Sequence, residues 1–119
     1  DVQMERGNLC QRAERWPCAH EAFDAVIATD AEHMVAWYQV GRTAVLSGER
    51  LEEGVDAFRR YINEHTPRGG EPSTAWAHTR LGTLYEKLGR AEDARASYRA
   101  ALALEPNHES AIAALAALK

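Results

Sequence analysis

Three glycines, Gly7, Gly41 and Gly82, recur at intervals of 34 and 41 residues. Each is followed about sixteen residues later by an aromatic, Phe23, Phe58 or Tyr98, and four residues before each aromatic stands a small residue, Ala19, Gly54 or Ala94. This repeat constrains the fold more than any other feature. A unit of that length cannot bury its own apolar face and must stack against its neighbours. One extra residue near Glu49–Leu51 and about six around Gly69–Thr74 account for the unequal intervals.

The clearest unit, Ala75–His108, reads AWAHTRLGTLYEKLGRAEDARASYRAALALEPNH. Leu81, Leu84, Tyr85 and Leu88 form one apolar stripe at helical spacing. Gly89 ends that helix, because glycine readily takes the left-handed conformation. Ala91, Ala94, Tyr98, Ala101 and Leu102 form a second stripe, closed by Pro106. The unit is therefore a helical hairpin.

Leu81-Gly82, Tyr85, Gly89, Ala94, Tyr98, Ala101 and Pro106 match the pattern of the tetratricopeptide repeat nearly position for position, and the chain resembles that family over almost its whole length. The resemblance implies an all-α fold, a right-handed superhelix of antiparallel helix pairs. The spacing predicts about seven helices, near 2–14, 17–30, 34–47, 51–65, 74–88, 91–104 and 108–118. These form one domain: repeat one over 1–33, repeat two over 34–68, an insertion over 69–74, repeat three over 75–108, and a capping helix over 108–118.

Repeat two keeps the register through Trp37, Val40-Gly41, Ala44, Gly48, Gly54 and Phe58, and Pro67 ends it. Tyr61 stands in the place of Ala101, so a larger group must be housed there. Repeat one keeps Gly7, Ala19 and Phe23 but has Arg6 where leucine is expected and Cys10 where tyrosine is expected, with Trp16-Pro17 as its turn and the proline suited to the first turn of the helix that follows. It reads as a terminal repeat or as the end of a longer array. In the last segment Asn107 is the expected N-cap, and Ile112, Leu115 and Leu118 are the expected apolar stripe. The alanine-rich remainder of that helix is bland for a solvent-facing cap, which motivates homodimerisation through it or a chain that continues.

Composition excludes some functions. No apolar run approaches the ~18 residues that a membrane span requires. The net charge of −4 disfavours a nucleic-acid surface. Twelve arginines against two lysines read as a GC-rich coding bias and a bacterial source. The chain starts at Asp1, as a trimmed or processed form would.

Cys10 and Cys18 match no zinc spacing. Two readings stay open: ordinary packed residues, or a disulfide between adjacent helices, which implies an oxidising compartment. His20, His33, His65, His78 and His108 are scattered, and no HExxH, GxSxG, P-loop or GxGxxG is present. Neither a catalytic role, a cofactor nor a metal is expected.

The resemblance places ligand binding on a concave groove lined by the first helix of each pair. It assigns to that groove Met4, Asn8, Gln11 and Arg12 from repeat one, Val35, Tyr38, Gln39 and Arg42 from repeat two, and Trp76, Thr79, Arg80, Thr83 and Lys87 from repeat three. Arg12, Arg42 and Arg80 offer guanidinium groups that suit carboxylates. Tyr38 and Trp76 offer aromatic surface of the kind enriched at binding hot spots. Chaperone-binding members of the family clamp an acidic C-terminus with five residues. Asn8 and Arg80 match that set and Gln39 approximates it, while Met4 and Trp76 replace its two lysines. The expected partner is another protein or peptide, carrying an acidic or C-terminal segment. The insertion Arg68-Gly69-Gly70-Glu71-Pro72-Ser73 reads as a tolerated surface loop, as an adjuster of the angle between repeats, or as a partner contact.

Overall fold

A computed structural model describes residues 1–118. Among them the only regular elements are seven helices: α1 (Val2–Arg12), α2 (Trp16–Thr29), α3 (Met34–Ser47), α4 (Leu51–Glu64), α5 (Thr74–Lys87), α6 (Ala91–Leu104) and α7 (Glu109–Ala117). The helices pack most extensively as the pairs α1/α2, α3/α4 and α5/α6, and each pair packs on the next. The fold is an all-α stack of helical hairpins.

The glycine–aromatic pairing has a direct cause. A Cβ on Gly7 would lie 2.5 Å from the Phe23 ring, one on Gly41 2.7 Å from Phe58, and one on Gly82 2.5 Å from Tyr98. In each hairpin the aromatic ring of the second helix occupies the space that a side chain on the glycine of the first would need. A Cβ on Gly54 would meet Ala44 at 2.7 Å and Leu84 at 2.9 Å, so the small residue at that place lets successive hairpins approach. Phe23, Phe58, Tyr61 and Tyr98 are fully buried.

Helix ends follow local chemistry. Gly48 and Gly89 both adopt φ of +75° just after α3 and α5, a conformation in which any side chain is strained. Ser73 caps α5, its hydroxyl accepting from the Trp76 N–H at 3.1 Å. Asp1 caps α1 in the same way, accepting from the Gln3 N–H at 2.7 Å.

Several expectations are corrected. Trp16-Pro17 is not the turn: Trp16 opens α2, and Glu14, at φ +58°, lies in the turn that precedes it, although the proline does sit in the first turn of the helix as expected. Asn107 does not cap α7; His108 occupies that place without a side-chain bond, as His33 does before α3, where Nδ1 accepts from the Ala36 N–H at 3.2 Å. Ile112 is 47% exposed and lies off the packed stripe of α7. That helix buries Ala111, with Ala114 and Leu115, and Leu118 just beyond its end, partly covered against the stack. Arg6, standing where leucine was expected, meets Glu21 of α2 at 3.2 Å.

Cys10 on α1 and Cys18 on α2 form a disulfide, their Cα atoms 5.8 Å apart. The bond ties the first hairpin across its short turn.

Candidate peptide-binding groove

Tyr38, Gln39 and Arg42 are spaced along α3 so that the first and last are one turn apart, and Trp76 and Arg80 are spaced likewise on α5. The two helices pack side by side, bringing these residues to a common pocket of about 280 Å³. Its remaining wall is not helical. Gly70, Glu71 and Pro72 of the insertion complete the lining.

The insertion is anchored where it meets the pocket. The buried Tyr61 hydroxyl donates to the Pro72 carbonyl at 2.7 Å. The Glu71 carboxylate accepts from the Arg68 N–H at 2.9 Å and lies 2.8 Å from His65 Nε2. Those bonds, the Arg68 N–H first, hold Glu71 below the usual carboxylate range. The sequence left this segment open between a surface loop, an adjuster of the angle between repeats and a partner contact. The signal that pointed further was Tyr61, large where the repeat elsewhere is small.

The two guanidinium groups are braced differently. Arg80 Nε donates to the Tyr38 hydroxyl at 2.8 Å, and its guanidinium lies 5.0 Å from the Trp76 ring centre. Arg42 donates to the side-chain oxygen of Gln11, reaching back to repeat one. Gln11 is buried and donates in turn to Gln39 Oε1 at 3.1 Å and to the Thr43 hydroxyl at 3.0 Å. Burial, and secondly the neighbouring Arg80 charge, hold Arg42 below the usual arginine range. Neither Arg42 nor Arg80 meets a carboxylate among the described residues. Arg50, Arg60 and Arg90, by contrast, each pair with acidic side chains.

The structure therefore gathers Tyr38, Gln39, Arg42, Trp76 and Arg80 and leaves other predicted groove residues outside the pocket. Tyr38 offers its hydroxyl end but not aromatic surface. The residue is only 3% exposed, its ring held edge-on to Phe58 at 5.3 Å and against Tyr61 at 5.2 Å. Thr79 is buried, its hydroxyl donating to the Ala75 carbonyl at 2.9 Å, so it is unavailable to a ligand. Thr83 is half-buried and donates to the Thr79 carbonyl at 3.3 Å. Met4 packs on the core of the first hairpin. Asn8, half-buried, and Arg12, exposed, lie on α1 away from the pocket lining. Trp76 is 37% exposed, with its ring edge-on to His108 at 4.4 Å between centroids.

Comparison with known proteins agrees with this fold. The sequence profile of the tetratricopeptide repeat matches residues 75–108. The chain carries a tetratricopeptide repeat at residues 75–108 and has the fold of tetratricopeptide-repeat domains. The Arabidopsis OM64 tetratricopeptide-repeat domain superposes with a TM-score of 0.82 at 22% identity, over 99% of this chain and 92% of that one. The second such domain of human RPAP3, solved in complex with the HSP70 peptide SGPTIEEVD, superposes with a TM-score of 0.82 at 23% identity, over 98% of this chain and 91% of that one. No curated protein matches the chain in sequence. The strongest repeat in the sequence is thus the one the profile recognises. The two looser repeats share the fold without the full pattern.

Proposed function

We propose that this tetratricopeptide-repeat domain is a protein-binding scaffold that holds an acidic segment of a partner in the pocket between α3 and α5. One observation carries the reading: Arg42 and Arg80 stand on one pocket, partly buried, mutually repelling and neither paired with a carboxylate, while Glu71 on the same pocket is held by His65 and the Arg68 N–H. A ligand carboxylate relieves that repulsion and accepts paired hydrogen bonds from guanidinium. Trp76 beside them supplies apolar contact for a neighbouring ligand side chain.

The RPAP3 domain's peptide, SGPTIEEVD, carries three acidic side chains and no basic one. It supports an acidic ligand class and supplies a probe. In a ¹⁵N-resolved titration, SGPTIEEVD with a free C-terminus shifts the Trp76 indole N–H saturably. The neutral counterpart SGPTIQQVN, amidated at its C-terminus, does not. Equal response to both peptides, or none to either, would overturn the acidic reading.

A further inference from the structure

A second cleft, of about 470 Å³, shares no lining residue with the groove. It lies where α2, α3 and α4 meet. Ile27, Ala28, Trp37 and Val40 give it an apolar lining. Its remaining lining residues are three carboxylates, Asp24, Glu53 and Asp56, and one guanidinium, Arg50. The volume falls within the ordinary range for ligand pockets.

The charges there are arranged oppositely to those of the groove. Arg50 divides its charge between Asp24, at 3.1 Å, and Glu53. Asp56 is exposed on α4 and has no partner among the described residues. The Trp37 indole is fixed by its N–H donating to the Ala31 carbonyl at 2.9 Å. Arg60 lies over the Trp37 ring at 4.8 Å, but its charge is shared with Glu64 at 3.4 Å and Glu32 at 3.8 Å. The lining therefore keeps a net negative charge beside an aromatic and aliphatic surface.

We infer that this cleft docks a short segment of a partner protein in which a lysine or arginine is flanked by apolar residues. The apolar neighbours cover Ile27, Val40 and Trp37. The cation meets Asp56 and shares Asp24 and Glu53 with Arg50. The site is independent of the groove, takes the opposite charge, and would let one small domain hold two segments at once.

Trp37 and Trp76 make the two sites separately visible, since each indole N–H gives its own resonance. The probes are the capped tripeptides acetyl-Leu-Lys-Leu-amide and acetyl-Leu-Glu-Leu-amide. The lysine peptide is expected to shift the Trp37 indole saturably, with at least threefold higher apparent affinity than the glutamate peptide, while Trp76 stays in place. Ala28→Phe fills the cleft from an exposed position, and Asp56→Lys reverses its unpaired charge. Each is expected to weaken the response at least threefold while the rest of the spectrum stays dispersed. Asp56→Lys, on an exposed helical face, serves if Ala28→Phe disturbs the fold. The inference is overturned if no saturable Trp37 shift occurs, if both peptides act alike, if Trp76 responds instead, or if the folded Asp56→Lys protein responds like the parent.

Discussion

Gly82→Ala places a methyl group 2.5 Å from the Tyr98 ring, a distance that neither packed helix can accept unchanged. Overpacking of this kind costs about 1–3 kcal/mol, so the variant should unfold at markedly lower denaturant concentration, read from a chemical melt. The same glycine–aromatic contact explains why the repeat was legible from sequence, since each partner dictates the other. Tyr38 was not legible in that way. The family pattern places its position on the groove, but Tyr61 draws the ring inward, and only the hydroxyl reaches Arg80. Tyr61 also sets a pH response. Burial, and secondly the Glu71 charge, push its hydroxyl up to about 12 from an ordinary 10. Between these values the unfolded chain loses a proton that the folded chain keeps. Stability therefore falls as pH rises through that window, by up to about 1.4 kcal/mol per pH unit for one such group. Stability lost between pH 9 and pH 11 should be smaller in Tyr61→Phe than in the parent; equal losses would contradict the assignment.

At the scale of elements, α1 is the helix held most by a single bond. It packs on α2 and reaches α3 through Gln11, and the Cys10–Cys18 bridge ties it to its own hairpin. Closing a loop this short contributes about 2–3 kcal/mol in the chain-entropy account. Reductant, or Cys10→Ser with Cys18→Ser, should lower the melting temperature and speed amide exchange in α1; an unchanged melt would show that the bridge does not form. The spacing of Cys10 and Cys18 left pairing open, because only the turn at Glu14 brings α1 and α2 into contact at that height. The insertion behaves as a structured element too. Ser73→Ala removes the cap of α5 and should cost about 1 kcal/mol in a denaturant melt. The helix bounds were legible to within about two residues, since glycine, proline and serine stop and start helices by local chemistry. What the insertion does was not, because its bonds from Tyr61 and His65 join residues that no periodicity connects.

For the whole molecule, a net charge of −4 hides an uneven distribution. Arg42 and Arg80 stand unneutralised on the groove, while Asp24, Glu53 and Asp56 gather at the separate cleft. Composition cannot reveal that separation; it appears only when the stack turns Arg42 and Arg80 of the first helices to one pocket and Asp24, Glu53 and Asp56 of the second helices to another. The acidic-segment reading rests on the position of two charges rather than on total charge. The most direct test compares two doubly reversed variants by titration calorimetry with SGPTIEEVD: Arg42→Glu with Arg80→Glu, and Arg59→Glu with Arg99→Glu, which changes the net charge equally at exposed sites on α4 and α6. The groove pair should weaken binding at least tenfold, about 1.4 kcal/mol, and the outer pair should stay within about threefold of the parent. Equal weakening by both pairs, or unaltered binding by the groove pair, would contradict the account.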